Sequence, residues 1–209
     1  MVESPEHAVL VRVRAPRRPT GVVLVLHGGA EESSRRVTAW MPAVLRLIPV
    51  ARSISRRVRG AAVYRLRFSH YGWNDTGSYS LADARWALGV LRGRYPGRPL
   101  VLVGHSLGAR VSLRLGGDPG VAGLVALTPW APDTDPVEQL ADRTVMVGQG
   151  SADTVCPEPH NRLLFDRAEA AGAHIRRTLF TGLGHGMIKK FWVWHAFAAR
   201  GVRQILTCR

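Results

Sequence analysis

Apolar residues fall into short runs separated by turn residues, and the runs alternate between two periods. Val22-Val23-Leu24-Val25-Leu26 and Leu100-Val101-Leu102-Val103 are continuously apolar and short, the pattern of strands buried on both faces. His7–Arg14 alternates only in part, but its β-branched content predicts a strand, and 61–68, 121–127, 144–147 and 176–180 read the same way. Between them the period lengthens. Leu81, Ala84, Leu88 and Leu91 recur at helical spacing behind Ser80, a suitable N-cap. Further helical stretches cover about 33–58, interrupted by Pro42 and Pro49, then 106–115, 159–171 before Gly172, and 187–205. Strands alternating with helices predict an α/β fold with a mainly parallel sheet of about seven strands. Its functional groups are expected at the carboxyl ends of the strands.

Composition narrows this picture without changing it. The 209 residues, 46% hydrophobic and 21% charged, suit a single α/β domain over 1–209 and exclude disorder, a collagen-like fibre and a coiled coil. Two cysteines exclude a disulfide scaffold and a four-thiolate zinc site. The first seven residues are polar and acidic, unlike a signal peptide, and no stretch approaches the ~20 apolar residues of a membrane span. A soluble, cytoplasmic protein is expected. Cys156 and Cys208 are then reduced thiols by default, although a bridge between them stays open. No metal-binding or nucleotide-binding motif is present, so neither metal nor cofactor is expected.

Charge is the unusual quantity. There are 29 Lys+Arg against 15 Asp+Glu, a formal net of +14, and the only lysines are Lys189 and Lys190. The arginine bias, with abundant Gly, Ala and Val, reads first as a coding bias spread over the chain. It leaves a positive surface that favours anionic partners. Arg52, Arg56 and Arg59 share a helical face beside Arg57, and Arg12, Arg14, Arg17 and Arg18 form a second cluster. A solvated basic face is the plainer account of both, and nucleic-acid binding is not expected.

The chemistry begins at Gly104-His105-Ser106-Leu107-Gly108, a Gly-x-Ser-x-Gly segment directly after one apolar strand and directly before a helix. A serine on so tight a turn has strained backbone angles, and glycines two residues either side give the chain room to fold back. The following helix points its amino-terminal N–H groups and dipole toward the serine.

In this segment and its setting the sequence resembles the α/β-hydrolase family, over nearly the whole chain, in the form of a small lidless esterase or dienelactone-hydrolase-like member. The resemblance implies a serine nucleophile, an acid and a histidine, in that order. Ser106 is the nucleophile. Among the eight histidines only His185 has the right setting, in the loop Gly182-Leu183-Gly184-His185-Gly186 after the last strand. For the acid, Asp153 follows the 144–147 strand in a segment similar to the family's acid loop; Asp133 and Asp135, after the preceding strand, are the rivals. The resemblance also implies an oxyanion hole. Leu107 supplies one amide by its position. The turn His27-Gly28-Gly29-Ala30 supplies the other, with Gly29 ahead of Ala30 and His27 as a structural partner of nearby loops.

Residues 128–143 are too few for a helical lid, so an open site is expected, with Tyr71, Trp73, Trp130 and Met187 as pocket walls. The two outermost amino-terminal strands of the family fold are reduced to one in this reading. The implied activity is hydrolysis of carboxylic esters with short acyl chains through an acyl-enzyme. The substrate is a small-molecule ester, or alternatively a thioester on an anionic carrier such as coenzyme A. A non-catalytic anion binder on the same fold is the competing class.

Overall fold

The computed structural model describes residues 1–207, apart from the side chain of His160; Cys208 lies outside the described residues. Eight strands form one sheet: β1 (Val2–Glu3), β2 (Val9–Arg14), β3 (Gly21–Leu26), β4 (Ala61–Arg67), β5 (Leu100–His105), β6 (Val121–Leu127), β7 (Thr144–Gly150) and β8 (His174–Phe180). Their spatial order is β1-β2-β4-β3-β5-β6-β7-β8, parallel from β4 to β8 and antiparallel at β1 and β2. The two amino-terminal strands expected to have merged into one are thus both present. The first is only two residues long and lacks apolar alternation, which hid it from the pattern.

Among the described residues five helices cover the two faces: α1 (Pro42–Arg57), α2 (Ser78–Arg94), α3 (Leu107–Arg114), α4 (Glu158–Ala170) and α5 (Phe191–Thr207). Strand residues alternate between two cores. Leu24, Leu102 and Leu124 face one core with α2, α3 and α4. Val25, Val103 and Val125 face the other, with Leu47 and Ile54 of α1 and Trp194 and Phe197 of α5. This explains the continuous apolar runs of β3 and β5: in the sheet centre, both faces of each strand are dry.

Three helix boundaries differ from the pattern. Pro42 starts α1 at its first turn, where no N–H is missed. Pro49 lies inside α1 without ending it; both it and Leu45, whose carbonyl loses a partner, face solvent. Gly77, at φ 67°, caps α2 in place of Ser80, whose hydroxyl instead donates to the Gly77 carbonyl. Between β6 and β7 stands only a three-residue 3-10 turn, Glu138–Leu140, so no lid covers the strand ends. No helix among the described residues is long and apolar enough to cross a membrane.

Candidate active site

Ser106 stands between β5 and α3 at φ 53° and ψ −120°, a positive-φ conformation that L-residues rarely adopt. Its backbone is held on both sides: its N–H donates to the Leu127 carbonyl at 3.0 Å, and its carbonyl accepts from Ala109 at 2.9 Å and Arg110 at 3.2 Å. The flanking glycines are dictated by the fold-back. A Cβ on Gly104 would overlap the Gly108 carbonyl, and one on Gly108 would overlap the Leu26 and His27 carbonyls. The Gly-x-Ser-x-Gly spacing is therefore a packing requirement between β3, β5 and α3.

Two neutral histidines hold this turn. His27 Nδ1 donates to the Gly28 carbonyl at 2.6 Å, and its Nε2 accepts the Phe68 N–H at 3.1 Å, which ties the ends of β3 and β4 together. A nitrogen that accepts a backbone N–H carries no proton, and burial pulls His27 down to about 4. His105 Nε2 donates to the His185 carbonyl at 3.0 Å. Burial, then the neighbouring His185, pulls His105 down to about 3.

At the β7 and β8 ends, His185 Nδ1 donates to Asp153 Oδ2 at 2.9 Å. That oxygen also accepts from Gln149 Nε2 at 3.0 Å, while Oδ1 accepts the N–H groups of Val155 at 3.0 Å and Cys156 at 2.8 Å. Burial pushes the Asp153 carboxyl up, but the His185 and backbone hydrogen bonds outweigh it and hold the group below its ordinary value. The Ser106 hydroxyl makes no hydrogen bond to His185 among the described residues. The His185 loop is drawn to the serine turn through His105, with ring centroids 5.0 Å apart.

The rival carboxylates are engaged elsewhere. Asp135 is buried and bidentate to Arg110, at 2.7 and 2.8 Å, so it is not a solvated loop residue. Asp133 is exposed. Of the two amides proposed from the β3 turn, Ala30 already donates to the Tyr71 carbonyl at 2.9 Å. Neither Gly29 nor Leu107 N–H has a protein acceptor among the described residues. Gly29 has no space for a Cβ, which would overlap the Tyr71 carbonyl.

A cavity of about 640 Å³ opens between the β3, β4, β6 and β7 loops; neither Ser106 nor His185 lines it. Trp73 and Trp130 line it, and the Trp130 N–H reaches the Ser106 carbonyl at 3.4 Å. The Arg110 guanidinium lies over both rings, 4.0 and 4.7 Å from their centroids, and so fixes the two walls against α3. Tyr71 and Met187, the other expected walls, do not line it. Tyr71 contributes its backbone, and Met187 is buried in the core beneath α1 and α5. Cys156 does line the cavity; burial, then the Asp153 charge, pushes its thiol up to about 12, so it is protonated and inert. Sequence reasoning missed Gln149 and Arg110. Gln149 carries no motif, and Arg110 is one arginine among many until its partners are seen in space.

A model of the alpha/beta hydrolase family matches residues 22–208. No curated protein matches the sequence significantly. Solved structures match throughout. A putative alpha/beta hydrolase from Agrobacterium tumefaciens is 21% identical, with a TM-score of 0.77 over 98% of this chain and 94% of that one. A lidless α/β serine hydrolase from Xanthomonas campestris is 20% identical, with a TM-score of 0.67 over 99% and 94%. Est1E from Butyrivibrio proteoclasticus is 13% identical, with a TM-score of 0.71 over 95% and 93%.

Proposed function

The chain belongs to the alpha/beta hydrolase family, and from that premise we propose that it is a serine hydrolase cleaving short-chain carboxylic esters through an acyl-enzyme. Ser106 Oγ attacks the ester carbonyl, and His185 Nε2 takes its proton. Asp153 holds the imidazole in the tautomer whose Nε2 is free, and stabilises the imidazolium that forms. The Gly29 and Leu107 amides receive the oxyanion; fixed backbone donors cost no reorganisation when the charge develops. Collapse expels the alcohol with the proton from His185. Water, activated by the same imidazole, then releases the acid. The Ser106–His185 hydrogen bond forms as substrate closes the site, since such bonds are often long in free enzymes.

The observation that carries this reading is the part-buried 2.9 Å Asp153–His185 pair, tied through His105 to the turn that holds Ser106 at φ 53°. Two features bear on the substrate. With no lid, the cavity opens to solvent, so an acyl tail gains about 0.8 kcal/mol per methylene only while each is fully buried. The gain then stops early, and acyl chains of about two to six carbons are preferred. The cavity is also lined by Glu31, Glu32, Asp75 and Asp133, none of which forms an ion pair with a basic side chain among the described residues. These carboxylates repel a polyphosphate carrier, which favours esters over the coenzyme A thioesters that the basic surface suggested.

A fluorophosphonate probe tests the assignment. Labelling should map to Ser106, and Ser106→Ala should lose both labelling and p-nitrophenyl acetate turnover, by about a million-fold in kcat on the subtilisin precedent, while folding normally. Turnover within tenfold of the parent protein would remove Ser106 from the mechanism.

A further inference from the structure

Residues 33–74 and 170–209 contain none of the 15 acidic residues and 16 of the 29 basic ones. The fold joins these two stretches. α1 and α5 run side by side in the same direction on one face of the sheet: Ser53 Oγ donates to the His195 carbonyl at 3.3 Å, and the Arg203 guanidinium to the Arg57 carbonyl at 2.9 Å. Among the described residues no ion pair involves either helix. Like charges press on one another here. Burial, then Arg57 and Arg56, holds His195 below its ordinary value, and burial, then Arg52, does the same to Arg65.

At their amino-terminal ends, where the sheet presents Ser106 and His185, the two helices also expose large apolar side chains. Trp40 is 81% exposed and Ile188 77%, followed by Trp192 at 55%, Phe191 at 51% and Leu45 at 40%. Single exposed apolar residues are ordinary; five at one end of a helix pair are not. Basic groups stand among them. A Cβ on Gly186 would lie 3.5 Å from Ile188 and 3.9 Å from the Arg46 guanidinium, and Lys189 and Lys190 separate Ile188 from Phe191.

We propose that this end of the α1–α5 face is a docking surface for an anionic lipid bilayer. Trp40, Ile188, Phe191 and Trp192 enter the headgroup boundary, while Arg46, Lys189 and Lys190 meet lipid phosphates and carboxylates. Charge decides the occupant. A second copy docking by the same patch would set these cations against their own images, with no acid in either helix to compensate. Nucleic acid would satisfy the cations and stack on the tryptophans but has no use for Ile188 and Leu45. An anionic bilayer supplies both a negative surface and apolar depth, and tryptophan with flanking lysine suits that boundary. Docked this way, the His185 loop, three residues before Ile188, faces the membrane. The inference does not rest on the esterase reading.

Vesicle sedimentation tests it, with phosphatidylcholine alone and with about 30% phosphatidylserine. The protein should sediment with the anionic vesicles, be released by about 0.5 M NaCl, and bind the neutral ones at least tenfold more weakly. Ile188→Ser with Trp192→Ser, and separately Lys189→Glu with Lys190→Glu, should each lower the partition coefficient at least tenfold without moving the thermal midpoint. No binding, binding that ignores both double variants, or equal binding to neutral vesicles would overturn the proposal. So would tighter binding of a single-stranded oligonucleotide lost in the same variants, or a dimer that Ile188→Ser with Trp192→Ser splits.

Discussion

At the centre of the sheet, between β3 and β5, a methyl group on Gly104 or Gly108 would overlap a backbone carbonyl, whereas at the β7–β8 edge one on Gly182 would touch nothing and one on Gly184 would sit 3.4 Å from its nearest neighbour. The two regions build their parts of the site by different means. In the centre the backbone is the device: strained angles at Ser106, amides at Gly29 and Leu107 without an acceptor among the described residues, and no room for a Cβ at Gly104 or Gly108. At the edge the His185 loop has space at Gly182 and Gly184, although a Cβ on Gly150 at the end of β7 would overlap the Leu183 carbonyl, and hydrogen bonds on Asp153 and His185 fix the geometry. The centre should therefore tolerate little without unfolding. The edge should lose chemistry while keeping its fold.

Asp153→Asn tests the edge most severely. Asparagine can keep the two backbone N–H bonds to Oδ1, so the loop should stay folded. Its amide nitrogen cannot accept the His185 Nδ1–H, and the imidazole takes the wrong tautomer. A fall of about 10⁴ in kcat is expected, as in the serine-protease precedent, or about 5–6 kcal/mol of transition-state stabilisation. The thermal midpoint should move little. If Asp153→Asn is nearly silent, the acid lies elsewhere. Asp135 is then the next to test, although its bidentate bond to Arg110 means that Asp135→Asn would also loosen the Trp73–Trp130 wall.

Gly104→Ala probes the centre from the opposite side. The new methyl meets backbone atoms of Gly108 and Ala109, which cannot yield as a flexible side chain would. Destabilisation above the ~1–3 kcal/mol usual for overpacking is expected. For a chain of this length that lowers the melting midpoint by about 10 °C. A variant melting with the parent protein but lacking activity would mean that the turn is freer than its contacts indicate.

This contrast also sets what could be read in the sequence. The centre was legible because its demands are local: an apolar run, a glycine, a serine, a glycine and a helix occur within a dozen positions. The Asp153 and His185 loops were legible only as an order of residues after later strands, supplied by resemblance. What escaped depends on tertiary neighbours. β1 pairs through two residues with no periodicity. Pro49 persists in α1 because Leu45 beside it faces water. Tyr71 and Met187 are aromatic and apolar residues at suitable strand ends, yet one offers the site a carbonyl and the other is core. Arg110 and Asp135 stand 25 positions apart, and their bidentate bond is visible only in space.

Acid acts on the two buried histidines that brace the site. His27 and His105 ordinarily titrate near 6.5 but are held in the fold at about 4 and about 3. The unfolded chain thus takes up protons first as pH falls below 6.5, and stability drops from there down to the folded values. Between pH 7 and 5.5 the two together should cost about 2–3 kcal/mol. Urea midpoints should show this slope, and His27→Gln, which keeps a donor and an acceptor, should remove about half of it. A flat profile would mean that these histidines are solvated.

Gln149 gives the smallest effect and the finest distinction. Its side-chain N–H groups bond Asp153 Oδ2 at 3.0 Å and the Cys156 carbonyl at 2.7 Å, so it braces both the carboxylate and the loop that carries it. In the proposed mechanism it touches no reacting atom and would act as a positioning residue. Gln149→Met fills similar volume and removes both bonds. Since the Val155 and Cys156 amides still hold Oδ1, the loss should be near the low end for a hydrogen bond to a charged group, about 1.5 kcal/mol, or tenfold in kcat. A purely structural brace would lower stability alone. A brace on the carboxylate has a second signature. Without the Gln149 donor, negative charge concentrates on Oδ2, the imidazolium form of His185 is favoured, and the acidic limb of the kcat/KM profile moves to higher pH. If kcat falls with no movement of that limb, Gln149 steadies only the loop backbone. If neither changes, the two amides suffice, and the edge of the site is set by backbone as firmly as its centre.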